Sequence, residues 1–121
     1  MIKRQVEAKI CDAVSKFKTE VYGKGPKYIK TVIVQDLVII RTGNVINLAL
    51  RKITEEVDGI KQIKQFKVTR FEATKEYLKD IVVKIVDSDV ISTYYDTSTK
   101  TGENIIILTM CENIEKKFDI R

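Results

Sequence analysis

The segment Asn-Ile-Ile-Ile-Leu-Thr-Met (NIIILTM, residues 104–110) decides how this chain can fold. As a β-strand it sets Ile105 and Ile107 on one side and Ile106, Leu108 and Met110 on the other, because successive side chains of a strand point to opposite faces. An antiparallel sheet that carries helices on one side only shows strict apolar–polar alternation, since its other side meets water. This strand does not alternate. A second stretch, LVII (residues 37–40), breaks the pattern in the same way. Both sheet faces are therefore expected to be dry near the centre. The simplest cover for the second face is another copy of the chain, which predicts a homodimer. The rival arrangement sets the first helix on one face and the long helix on the other.

The rest of the chain supplies partners for these strands. Val6, Ile10, Ala13, Val14, Phe17 and Val21 recur at three- and four-residue steps, the spacing of one helix face. That helix stops at YGKGP (residues 22–26), where Gly23 suits a left-handed cap and Pro26 forbids continuation. KYIKTVIV and LVIIR are β-branched runs joined by Gln35-Asp36, a tight hairpin. Asn44 or Asn47 can cap a short helix carrying Leu50, Ile53 and Val57, and Gly59 marks its joint with the next.

Residues 60–86 repeat apolar positions with helical period, giving a helix of about 40 Å. It spans or slightly overhangs a compact chain about 35 Å across. A second hairpin spans residues 89–111. The fold class is thus α+β in the order α-β-β-α-α-β-β: a four-stranded, mostly antiparallel sheet from two hairpins, with a long helix packed across it. One domain covers residues 1–121, divided as first helix and cap (1–26), hairpin (27–43), helices (44–86), hairpin (89–111) and polar tail (112–121).

Length and composition bound the function. With 121 residues the chain buries about two-thirds of its surface, enough for a core without disulfides or metal. Its two cysteines, Cys11 and Cys111, form no CxxC pair, and the charged opening MIKRQVEAKI is no secretory signal, so a reducing cytoplasm fits. No apolar run reaches the ~20 residues of a membrane-spanning helix. The net charge of +5 comes from mixed charges of both signs, a mild bias and no nucleic-acid signature.

Histidine is absent, which removes Ser–His and Cys–His nucleophile pairs and the commonest zinc ligand. The aspartates are scattered, and DSD (residues 87–89) alone is common in loops and helix ends. No catalytic constellation, cofactor or metal site is called for. Tyr94 and Tyr95 adjoin on a strand, so one belongs to the core and the other to the surface, and they make no base-stacking platform.

Two stretches remain as binding candidates. Lys61, Lys64, Lys67 and Arg70 follow one another at i+3 spacing with no acid among them. Each step rotates by about −60°, so the four fan over half the helix, a poor stripe for tracking phosphates and a natural solvated surface. The other is DTSTKTGE (residues 96–103). Thr101-Gly102 is a turn with glycine where φ is positive, while Ser98, Thr99, Lys100 and Thr101 could instead grip an anion. Phosphate loops end on a helix N-terminus, and this one runs into a strand.

Taken together, QVEAKICDAVSKFKTEVYGKGP (residues 5–26), KTVIVQDLVIIRTGNV (residues 30–45) and above all DTSTKTGENIIILT (residues 96–109) resemble one family. Its members are small bacterial and archaeal proteins named for the MpsC component of a sodium-translocating membrane-potential-generating system. The resemblance covers most of the chain, including the family's D-x-S-T-K-T-G-E pattern. It departs in the middle, where VINLALRK stands in place of a Leu-Thr-Pro-Ala-Glu-like helix start. It implies a soluble accessory protein beside a membrane system for ion or bicarbonate uptake, with no established catalytic residues. It also makes Ser98, Thr99, Lys100, Thr101 and Gly102 the first choice for binding.

The expected function is therefore a non-enzymatic accessory or binding protein, homodimeric and cytoplasmic, in peripheral contact with a membrane transport complex. The alternatives are a small-anion sensor acting through the STKTG loop and a nucleic-acid-binding module using the basic helix, the latter disfavoured by the mixed charge.

Overall fold

The computed structural model describes residues 1–44 and 48–118. In order it holds α1 (Lys3–Tyr22), β1 (Tyr28–Val34), β2 (Leu37–Gly43), α2 (Leu48–Ile53), α3 (Val57–Val86), β3 (Val90–Thr97), β4 (Glu103–Met110) and α4 (Ile114–Phe118). The strands form one antiparallel sheet in the order β1-β2-β4-β3, so the two apolar strands lie at its centre and each hairpin contributes one edge. The expected α+β architecture is present, with a further helix after β4.

The hairpin at Gln35-Asp36 closes as the sequence predicts, with Val34 paired to Leu37. Gln35 takes a positive φ of 56°, a conformation that side chains other than glycine adopt at a cost. Its surroundings hold it there. The Gln35 N–H donates to Glu115 Oε1 at 3.0 Å, and the Glu115 N–H donates to the Gln35 carbonyl at 3.0 Å. These bonds dock α4 onto the turn.

The segment 112–121, expected as a polar tail, is therefore partly built into the fold. Ile114 is fully buried, and Lys117 Nζ donates to the Val86 and Asp87 carbonyls at 2.9 and 2.8 Å. A cation on the last carbonyls of a helix is favourable by charge and by hydrogen bonding. Residues 119–121 lie outside the described ones.

All the covering helices pack on one face of the sheet. Val6, Ile10 and Val14 of α1 and Phe71, Leu78, Val82 and Val86 of α3 share one core with Val38, Ile40, Ile106, Leu108 and Met110. The rival arrangement, with helices on opposite faces, is thereby overturned: α1 and α3 lie side by side, because their apolar stripes both match the same sheet face. The opposite face carries Val32, Val34, Leu37, Ile39, Ile105, Ile107 and Tyr94, which are half-buried or exposed. Tyr95, the neighbour of Tyr94, points the other way and stacks on Phe71 with ring centroids 4.7 Å apart.

Only the second half of α3 packs on the sheet. Its buried large side chains begin at Phe71, and the outer half meets the strands only at the end of β3, through Lys64 to Asp96 and Lys67 to Thr97. With 30 residues the helix is about 45 Å long. The overhang and the bare sheet face account for a surface of 7708 Å², against the roughly 6,700 Å² expected of a compact chain of this mass.

Gly59 was expected between the two middle helices and lies instead in the first turn of α3. Its role there is space. A Cβ at this position would sit 1.8 Å from the Ile53 carbonyl oxygen, so only glycine lets the end of α2 fold back against α3. Gly59→Ala should release α2 and lower the helix content. Because α2 buries no side chain, the loss of global stability should stay near 1 kcal/mol. Far-UV circular dichroism identical to the parent would contradict this. Asn44, one expected cap, instead donates its N–H to the Gly102 carbonyl at 3.4 Å, and Asn47 lies outside the described residues.

Candidate functional site

A cleft of about 470 Å³ opens where α3 overhangs the sheet, between its outer half and the end of α1. Volumes of this order hold small ligands. The sequence builds it from three breaks in regularity. Gly23 ends α1 in the left-handed region at φ 77°, its N–H donating to the Thr19 carbonyl at 3.0 Å. Residues 24–27 then turn away to form one rim. Leu50 of α2, held back by Gly59, forms another.

Five basic residues line this cleft, Lys24 and Lys27 on its rim and three on the facing helices: Lys18 of α1, and Lys67 and Arg70 of α3. Tyr22, one turn beyond Lys18, supports both Lys18 and Arg70. Lys18 Nζ lies 5.3 Å from the Tyr22 ring centroid and the Arg70 guanidinium 4.6 Å from it, with Phe66 5.4 Å from Arg70 on the other side. The Tyr22 hydroxyl is fixed by Thr74 Oγ1 at 2.9 Å.

Beneath the cations lies a polar row across three strands, Thr42, Asn104 and Thr97 in register. All three are buried. Asn104 Oδ1 accepts from the Tyr95 hydroxyl at 3.0 Å and from the Thr97 hydroxyl at 2.8 Å, while its Nδ2 donates to Thr42 Oγ1 at 3.4 Å. Lys67 Nζ reaches this row, donating to Thr97 Oγ1 at 3.3 Å.

Among the described residues, no carboxylate lines the cleft and none pairs with Lys18, Lys67 or Arg70. The electrostatic consequence is direct. Burial, with the charges of Arg70 and Lys67 added, brings Lys18 down to about 8 from its ordinary 10.5. Burial and Arg70 also lower Lys67. Desolvated like charges destabilise one another. A bound anion would relieve that repulsion, and a neutral ligand would not.

The residues singled out in the sequence divide between this cleft and the surface. Lys61 is exposed, and Lys64 pairs with Asp96 at 3.5 Å. Lys67 and Arg70 turn inward. Residues 98–102 form a turn: the Gly102 N–H donates to the Ser98 carbonyl at 2.8 Å, the Thr101 N–H to Ser98 Oγ at 3.2 Å, and the Glu103 N–H to Thr101 Oγ1 at 3.3 Å. Gly102 has the positive φ, 79°, that this turn requires. The Ser98 and Thr101 hydroxyls serve the backbone, and Lys100 projects exposed. The loop nevertheless touches the cleft's far wall, since Ser98, Thr99 and Gly102 share a small crevice with Lys67.

Lys18 and Tyr22 were missed by sequence reasoning. Their i, i+4 spacing at the end of α1 was the available signal. Glu103, the last residue of the DTSTKTGE stretch, was likewise passed over. It accepts from the Tyr28 hydroxyl at 2.6 Å and from Arg41 at 2.9 Å, and these two bonds, Arg41's first, hold its carboxyl below the usual range. The Tyr28 ring reaches it by lying over Gly43, where a Cβ would come within 2.0 Å of the ring.

A family model described as the Na+-translocating membrane potential-generating system (MpsC) matches residues 2–112, nearly the whole described fold. The chain belongs to the MpsC family. A relative, "Uncharacterized protein YbcI" of Bacillus subtilis (strain 168), is 28% identical over 117 residues, covering 97% of this chain and 94% of that protein. No solved structure matches. Among the described residues of this MpsC-family chain, no helix is long and apolar enough to cross a membrane.

Proposed function

We propose that this MpsC-family chain is a non-enzymatic accessory protein that binds a small oxyanion in the cleft of Lys18, Lys67 and Arg70. On this reading it works in the cytoplasm, in peripheral contact with the ion-translocating membrane complex its family is named for. One observation carries the reading: three partly desolvated cations face a cleft with no carboxylate among its described lining. Clustered cations ordinarily draw acidic partners, and a lone buried charge is costly. Their persistence together is what an anion-binding site requires.

The alternative of nucleic-acid binding has less support. Of the four basic positions Lys61, Lys64, Lys67 and Arg70 on the outer half of α3, two point into the cleft and a third is paired, so Lys61 alone of these remains for a phosphate backbone. A basic groove tracking a strand needs more contacts than that.

Calorimetric titration with sulfate, inorganic phosphate and bicarbonate tests the proposal. Sulfate should bind at pH 7, and its affinity should fall as Lys18 loses its proton. The folded amine titrates near 8, so affinity should be flat below that pH and weaken up to about tenfold per unit above it. Lys67→Met should cost about tenfold or more, the scale of one hydrogen bond to a charged group. Lys100→Ala should leave affinity unchanged. Loss of binding in Lys100→Ala with none in Lys67→Met would return the site to the loop, and no binding of any of the three anions would remove it.

A further inference from the structure

The sheet face opposite the helices has a layout that selects its own partner. Four residues, one from each strand, cross it in each of two adjacent rows. The central row is Val32, Ile39, Ile107 and Tyr94, entirely apolar but for one hydroxyl. The next row is Lys30, Arg41, Ile105 and Asp96, with a cation on edge strand β1 and an anion on edge strand β3. Arg41 is already neutralised by Glu103 of the same chain at 2.9 Å. Asp96 uses one oxygen, Oδ1, for both the Thr97 N–H at 2.8 Å and Lys64 Nζ at 3.5 Å. Lys30 and Asp96, the latter 71% exposed and paired with Lys64 through Oδ1 alone, are opposite in sign and at opposite edges of one row.

We propose that this face packs against the same face of a second copy, about a twofold axis running along the strands between β2 and β4. Two stacked copies of one face can be related only by an axis lying in the plane between them. An axis along the strands exchanges the edges and keeps the rows. It sets Lys30 of each copy over Asp96 of the other, Val32 over Tyr94, and Ile39 over Ile107. It also leaves the two sets of strands nearly aligned, the common geometry of packed sheets. An axis across the strands keeps each edge over itself. It sets Lys30 over Lys30 when centred on the charged row, and over Val34 when centred on the apolar row. Only the first arrangement matches both apolar rows and charges.

The area sets the strength. Four strands by about six residues give a flat footprint of about 19 by 20 Å, so the pair buries on the order of 1,000 Å². That is at the small end of specific interfaces, and the dimer should dissociate in the micromolar range.

Sedimentation velocity from about 1 to about 200 µM reads this directly. The wild-type chain should move from monomer to dimer across that range. Ile107→Asp should remain monomeric, and Tyr94→Glu, a milder change on an exposed edge position, should weaken the dimer at least tenfold with unchanged thermal stability. Lys30→Glu and Asp96→Lys should each weaken association, and the double variant K30E/D96K should recover it. A wild-type monomer throughout, a dimer insensitive to Tyr94→Glu, or single charge reversals not rescued by the double would each overturn the proposal. Anion titration of the Tyr94→Glu monomer keeps this outcome separate from that of the cleft.

Discussion

Lys18→Met is expected to make the folded chain more stable at pH 7 and to remove most of its affinity for oxyanions. The two effects share one cause. In the folded chain the Lys18 amine is partly desolvated beside Arg70 and Lys67 and titrates near 8, against 10.5 when unfolded. Between those values the unfolded chain holds a proton that the folded chain has released, so wild-type stability rises with pH across that window. The penalty is fully present below about pH 8 and gone above about 10.5. For a partly exposed amine it is on the order of 2 kcal/mol, or about 8 °C in Tm. Methionine keeps the apolar stem and discards the charge.

Urea unfolding at pH 7 and pH 10.5 checks the sign: the variant should lead at the lower pH and the two proteins should converge at the higher. A variant less stable than the parent at pH 7 would mean that the Lys18 charge is paired in solution. The cleft could not then be an empty anion site. Stability held back at a cluster of like charges is the signature of a binding site, and packing alone does not explain it.

Asn104→Leu should produce the largest loss of stability, about 3 kcal/mol, or about 12 °C in Tm. The side chains share the same branched heavy-atom skeleton, so the cost is expected to come chiefly from lost hydrogen bonds. Asn104 is 2% exposed and serves the hydroxyls of Tyr95, Thr97 and Thr42 together. A buried hydroxyl left without a partner costs about 1–3 kcal/mol. Thr97 has some recourse, since the Glu103 carbonyl lies 3.4 Å from its Oγ1. Tyr95 can also turn to the Thr97 hydroxyl, whereas Thr42 shows no second hydrogen-bonding side chain among the described residues. Thermal unfolding by circular dichroism measures the change. A loss below about 1 kcal/mol would show that water or rotated side chains satisfy the row, making the cleft floor wetter than its burial implies.

Much of the fold was legible locally. The i, i+4 recurrence of Val6, Ile10 and Val14 names the buried stripe of α1, and Gly23 ends that helix in the conformation that glycine allows. The β-branched runs and Gln35-Asp36 define the first hairpin. The run at residues 98–102 is a turn for the reasons its hydroxyls and glycine suggest. The tail was harder to read, because Ile114 is one apolar residue among charges and its burial depends on a pocket built by distant strands. The cleft was hardest. Lys67 and Arg70 look like a solvated helix face, since nothing in a helical repeat distinguishes a cation facing water from one facing a neighbouring helix.

The sequence by itself determined the order of the first seven elements, the two hairpins and the double-faced apolar strands, because each follows from the period of residues that are neighbours along the chain. Only the tertiary structure decided that α1 and α3 share one face of the sheet, leaving the other bare. It alone brought Lys18 to Lys67 and Arg70, about fifty residues away. Those outcomes depend on which apolar stripes fit together in space, and no local repeat encodes that fit.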